Sequence, residues 1–279
     1  MFSPLIFWLW FAGLVILVCG LFTARKSIWS AGGLEKLVAM GPAFFASPLA
    51  AFGTEHLLYA RSIASIIPAW IPAHLFWTYF VGCALICGGA ALALRIYPHL
   101  VAALLGFMFV CFVLMIHIPN VAAQPNNRIF WALVFRDLSF GGGALALASA
   151  RIPALRIPAR LFVAVPLLFF AAEHFLHPEF APGVPLAKVT PDWFPVRVFW
   201  GYLMGAALLA SGAAMLAGKP RKYARLAATL LGLLVTAMTL VLYLPIFVAA
   251  ADPALLEGLN YVFDTLLLAG AVLLVAAVL

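Results

Sequence analysis

The chain is built from long apolar runs separated by short Pro-rich and polar stretches. Nine runs stand out, at roughly 3–22, 43–60, 76–94, 99–118, 130–149, 161–177, 198–217, 225–246 and 258–279. Runs of about 18 or more apolar residues are long enough to cross a hydrocarbon core about 30 Å thick as helices. The pattern therefore predicts an all-α membrane protein with nine transmembrane helices.

Composition sharpens this picture. The chain has 279 residues, 67% of them hydrophobic and only 9% charged. A soluble domain averages about 45–50% apolar and roughly 25% charged residues. The net charge of +7 raises the question of an acidic partner. Its placement excludes nucleic acid, because the basic residues sit in short segments between apolar runs, with no basic stripe or aromatic platform. They read instead as topology signals next to the lipid bilayer. With loops assigned alternately, one side holds Arg25, Lys26, Lys36, Arg95, Arg151, Arg156, Arg160, Lys219, Arg221, Lys222 and Arg225. The other holds Arg61, Arg128, Lys188 and Arg197, together with the acidic Glu179, Asp192, Asp252 and Glu257. The positive-inside rule then puts the N-terminus outside and the C-terminus inside. Residues 2–22 carry no basic residue ahead of the apolar run and are followed by Arg25 and Lys26, as in an uncleaved anchor rather than a signal peptide. Cys19, Cys83, Cys87 and Cys111 form no Cys-x-x-Cys pair and read as small buried packing residues.

An internal repeat organises the chain. FGTEHLLY at 52–59 answers FAAEHFLH at 170–177, and IIPAWIP at 66–72 answers VTPDWFP at 189–195. Trp77 and Tyr79 then match Trp200 and Tyr202, Gly82 and Gly89 match Gly205 and Gly212, Gly106 matches Gly232, Pro119 matches Pro245, and Asp137 matches Asp264. The offset grows from 118 to 127. Each copy holds four runs, an even number, so both enter the membrane in the same direction and should be related by an axis along its normal. Three regions follow: an anchor helix with its basic loop over 1–36, repeat 1 over 37–150 and repeat 2 over 151–279. The Pro-x-Trp-x-Pro segments suit interfacial anchors, since proline disfavours helix there and tryptophan favours the headgroup region.

Each copy resembles the DoxX-like family of four-helix membrane proteins. The resemblance rests on Glu55-His56, on IIPAWIPAHLFWTYFVGCALICGGAALAL, and on FRDLSFGGGALALA at 135–148. Glu173-His174, VTPDWFP, the stretch from Trp200 to Gly212 and FDTLLLAGAVLLVA carry it in the second copy. The likeness covers about 43–279 and implies a tandem duplication with an added N-terminal span, in the plasma (inner) membrane of a bacterium. Some members of that family accompany quinone-linked oxidoreductase complexes, which implies a redox partner subunit in the membrane or periplasm. No catalytic residue carries over from the resemblance.

The candidate chemistry lies in ionisable residues inside the runs. These are Glu55, His56, His117, Arg136 and Asp137 in repeat 1, with Glu173, His174, Tyr243 and Asp264 as counterparts in repeat 2. A charge at the centre of a membrane helix costs about 2.5–3.5 kcal/mol or more, so such residues face a protein interior or cavity. Asp137 follows Arg128 by nine residues and sits roughly 13 Å down at 1.5 Å per residue, in the outer half of the bilayer. Three readings stay open: polar residues that set helix register, a quinone or redox site using histidine and carboxylate to move protons, and a small-solute or metal site. Adjacent Glu55 and His56 lack the i, i+3 or i, i+4 spacing of helical metal ligands. Haem would require matched histidines in facing spans, and no nucleotide or nucleophile motif is present. Repeat 2 replaces His117 by Tyr243 and Arg136 by Phe263, so repeat 1 is expected to hold the working site. Asp264 is expected to lack a cation and to bond Asn260 or stay protonated.

The charge asymmetry predicts that reporter fusions at Leu155 and Asn126 will report opposite compartments. The same compartment for both would overturn the nine-span topology.

Overall fold

A computed structural model of the chain describes residues 4–218, 221–250 and 254–279. Lys219 and Asp252, counted among the loop charges above, lie outside these residues. Among the described residues, nine helical passes are long and apolar enough to cross a membrane. They are formed by α1 (Pro4–Ser30), α2 (Glu35–Leu58) with a short α3 (Ala60–Ala64) after it, α4 (His74–Ala93), and α5 (Pro98–Phe112) continued by α6 (Ile118–Ala123). Then come α7 (Arg128–Ala148), α8 (Arg156–Leu176), α9 (Arg197–Ala217), α10 (Arg221–Met238) continued by α11 (Leu244–Ala249), and α12 (Leu255–Val278). The helices outrun the apolar blocks. Arg25 and Lys26 fall within α1, and Glu35 and Lys36 open α2. Charged side chains at helix ends can reach the interface while the backbone stays helical.

Two passes share an unusual turn. Val113–His117 joins α5 to α6 and Thr239–Tyr243 joins α10 to α11, both as π-helical turns. Proline explains both. Pro119 and Pro245 carry no N–H, and their rings exclude the carbonyl four residues earlier. The helix widens just upstream, so Ile118 bonds the Val113 carbonyl and Leu244 the Thr239 carbonyl, five residues back. His117 and Tyr243 each end such a turn. α2 and α8 also keep proline inside the helix, at Pro48 and Pro166.

The architecture centres on α12, most of which is buried. It packs against α2, α7 and α10. Without a hydrophobic drive between helices in lipid, small residues decide where helices meet. A Cβ on Gly270 would lie 2.5 Å from the Phe45 amide nitrogen of α2, and one on Gly143 would lie 2.5 Å from Ala271 Cβ. On the other flank, a Cβ on Gly142 would lie 2.9 Å from the Ala159 carbonyl oxygen of α8. α2 therefore rests on α12, α8 on α7, and α7 on α12, while α4 and α9 cover α2 and α8. The first four-pass set and the second thus interlock through their first and last helices, α2 against α12 and α7 against α8. α1 lies along α2 and α4 and turns Phe7, Trp8, Val18 and Phe22 outward.

The cysteine reading needs correction. Cys83 and Cys87 are exposed, and Cys19 and Cys111 are partly buried. α4 buries Gly82 and Gly89 against α2, which leaves Cys83 and Cys87 on its outer side.

Gly270→Ala should destabilise the fold by about 1–3 kcal/mol, because a methyl there meets backbone that cannot turn aside. Gly32→Ala, with nothing within 4 Å, should stay within about 0.5 kcal/mol. Unfolding of both variants in one detergent checks the contrast, and equal losses would remove the glycine contact as the determinant.

Candidate functional site

The π turn ending at His117 brings its ring to α7, where Nε2 donates to Asp137 Oδ2 at 2.8 Å. The other carboxylate oxygen accepts from Arg136 Nε at 2.9 Å. Arg136 Nη1 reaches across to α12 and lies 3.4 Å from Asp264 Oδ2. One turn before Asp264, Asn260 Nδ2 donates to Glu55 Oε1 of α2 at 3.1 Å. A chain His117–Asp137–Arg136–Asp264 thus runs from one half of the molecule into the other, with Asn260–Glu55 beside it. Glu55 lies within Coulombic reach of Arg136 and Asp264, and His56 within reach of Asp137. His56 itself donates from Nδ1 to the Phe52 carbonyl at 2.7 Å, which leaves Nε2 as an acceptor.

Three of the repeat 1 candidates, His117, Arg136 and Asp137, are thus joined to Asp264. Glu55 lies beside them through Asn260, and His56 bonds only its own helix. The expected lack of a counter-ion for Asp264 is corrected: its cation is Arg136. Direct contact of α7 with α12 allows an arginine of the first half to serve a carboxylate of the second. Asn260, expected as the partner of Asp264, bonds Glu55 instead. The cluster is deep but not sealed, since the side chains of Arg136 and His117 keep 23% and 11% of their surface exposed, against 3% for Asp264.

The remaining counterparts form a second polar cluster. Glu173 Oε2 accepts from Arg128 Nη1 at 2.7 Å. The same guanidinium donates to the carbonyls of Pro185 and Leu186 at 2.7 and 2.6 Å, and lies over the Phe180 ring. Those residues belong to the connection between α8 and α9, whose segment 181–185 is buried. An isolated antiparallel bridge between Phe180 and Val189 closes it into a hairpin. His174 Nε2 sits 3.1 Å from the Gly183 carbonyl oxygen and 3.2 Å from its amide nitrogen. Tyr243 is buried beneath the same glycine, and its hydroxyl has no hydrogen-bond partner. His174 and Tyr243 are thus capped by the loop, and neither meets Asp264 by a hydrogen bond.

Arg128 is the polar residue whose place in the structure its sequence position hides. It reads as a loop charge, yet it opens α7 and turns inward to a carboxylate 45 residues away. The buried hairpin is equally silent, since its Ala-Pro-Gly-Val-Pro looks like an ordinary turn. Trp70 and Trp193, 61% and 53% exposed, lie at the surface. Among the described residues, no group of three His, Cys, Asp or Glu side chains could hold a metal ion.

Arg128→Met leaves Glu173 without its cation and should cost roughly 3–5 kcal/mol, as for a broken buried pair. Arg128→Lys should lose less, because an ammonium keeps the charge but cannot fork to both carbonyls. Adding Glu173→Gln to Arg128→Met should restore part of the stability. Strict additivity in that double-mutant cycle would show the pair to be uncoupled.

Comparison of the chain with protein-family models, curated proteins and solved structures gave no match in any of the three.

Proposed function

We propose that this chain is a DoxX-like integral membrane protein, made by tandem duplication of a four-helix unit behind an N-terminal span. Matched local devices support the duplication. Pro48 and Pro166 sit inside the first helices, and Ala73 and Val196 precede α4 and α9 in the left-handed region, at φ 54° and 52°. A Cβ on Gly89 would lie 2.7 Å from the Ala46 carbonyl oxygen, and one on Gly212 would lie 2.9 Å from that of Ala164. Gly106 meets Leu145 as Gly232 meets Leu273. In the last helix these contacts favour an offset of 128, which pairs Gly142 with Gly270 and Arg136 with Asp264, over the 127 that pairs the two aspartates. The basic asymmetry supports an N-terminus outside and a C-terminus inside, and the family resemblance supports residence in a bacterial inner membrane.

The function that this arrangement supports best is binding the polar head of a membrane-dissolved quinone, as a redox-associated subunit working with a partner. The observation that carries it is the hydrogen-bonded chain His117–Asp137–Arg136–Asp264, partly open at its histidine and arginine. A quinone head needs donors for its carbonyls and a route for protons, and an arginine beside a histidine–carboxylate pair provides both. A second reading, a non-enzymatic assembly or structural subunit, is favoured by the fact that Arg136–Asp264, Asn260–Glu55 and Arg128–Glu173 all join one half to the other. Such bonds lock register without any ligand.

The test is the absorbance spectrum and extracted lipid of the purified protein. Quinone should co-purify, and His117→Ala, which removes a donor from Asp137, should lower it about two- to tenfold, the range for one lost hydrogen bond, with His56→Ala lowering it as well. His174→Ala and Tyr243→Phe should be milder at matched thermal stability. Absence of quinone, with none taken up on addition, would leave the structural reading.

A further inference from the structure

The two ends of the bundle differ in how their cations are answered. Where α7 and α9 begin, Arg128 bonds Glu173 at 2.7 Å and Arg197 bonds Asp192. At the other end, where α2, α8 and α10 begin, Glu35 is the one side-chain carboxylate among the described residues. Arg225 takes both of its oxygens, at 3.2 and 2.6 Å. Arg156 and Arg160 on α8 and Arg221 on α10 are among the cations left without a carboxylate.

Arg160 is half-buried at this end, and its Nε is enclosed with no hydrogen-bond partner. Its guanidinium lies against the turn that ends α9, where a Cβ on Gly218 would come within 2.7 Å of Nη1. The side chain keeps part of its surface open, so it is reached from outside the bundle without any internal cavity. Arg156 stands one turn before it on α8, and Arg221 follows Gly218 by three residues, both exposed. Three arginines are thus carried at one edge of the bundle. A guanidinium beside lipid with no carboxylate calls for another oxyanion, and its fork of N–H groups fits a phosphate. The adjoining surface indicates which phosphate. Ile157, Leu161 and Val165 follow one another on α8 at four-residue spacing and are 63%, 37% and 41% exposed. Residues so spaced form one row along a helix, here leading from the level of Arg160 into the membrane. An acyl chain can lie along that row, whereas a free phosphate leaves it unused.

We propose that this edge binds an anionic phospholipid. Its phosphate sits on Arg160, flanked by Arg156 and Arg221, and an acyl chain runs along Ile157, Leu161 and Val165. Basic sites at the ends of membrane helices hold acidic headgroups in this way. The site lies toward the opposite end of the bundle from the His117–Asp264 network and does not depend on the quinone reading.

Equilibrium binding of a fluorescent phosphatidylglycerol to the purified full chain in a non-ionic detergent tests this. Unlabelled phosphatidylglycerol should displace it at least about fivefold better than phosphatidylcholine, and inorganic phosphate should not displace it. Arg160→Gln should weaken binding about fivefold, the factor for one basic side chain at a lipid surface. Lys26→Gln removes the same charge at the same end, from α1, which packs on α2 and α4, and should change binding less than about twofold. If Arg160→Gln does not fold, Arg156→Gln, at an exposed position, should show the loss and decides instead. Equal competition by the two lipids, or an equal loss in Lys26→Gln, would mean diffuse attraction and overturn the site. Inorganic phosphate competing as well as phosphatidylglycerol would overturn the lipid as its occupant.

Discussion

The close approach of α7 to α12 is the constraint on which the rest depends. It exists because Gly143 has no side chain where Ala271 sits, and it carries Arg136 to within 3.4 Å of Asp264. A guanidinium in this setting cannot stand alone, since its desolvation must be offset by carboxylates on both sides. Asp137 and Asp264 provide them, and His117 and Asn260 extend the bonding outward to the π turn and to α2. Packing by small residues and satisfaction of charge thus act at the same place. Each would be costly without the other.

The two π turns show how one backbone device serves different ends. Pro119 and Pro245 force the same widening, and each turn ends on a residue with a polar tip. His117 finds a carboxylate on α7. Tyr243 instead lies under Gly183 of the buried hairpin, whose backbone also occupies the ring of His174. The hairpin is held by Arg128, which belongs to the other half. One half therefore leaves its histidine cluster partly open, and the other closes its histidine with its own chain.

Much of this was legible in the residues. Long apolar runs give the passes, and charged residues within them give the cluster, because lipid tolerates neither exposed backbone nor lone charge. Partner choice was not legible. Asp264 reads as lacking a cation so long as each half is taken to satisfy itself, and Arg128 reads as a loop charge so long as the loop after α8 is taken to be solvated. Both errors have one origin: the exchange of first and last helices between halves depends on how Gly142 and Gly270 seat against α8 and α2. A one-residue change of offset in the last helix turns an aspartate pair into an arginine–aspartate pair. Sequence matching favours the identical residues, whereas helix contact obeys the glycines.

That offset bears on stoichiometry. Under the proposed duplication, Arg136 and Asp264 occupy equivalent positions and touch, so their contact lies on the rotation axis relating the halves. A feature on such an axis occurs once, however many times the surrounding unit is copied. Two identical subunits would set arginine against arginine or aspartate against aspartate at this point, and neither arrangement could be neutral. A fused chain, with its copies free to diverge, can hold opposite charges there. Under that duplication, two four-helix units make a single charged centre rather than two.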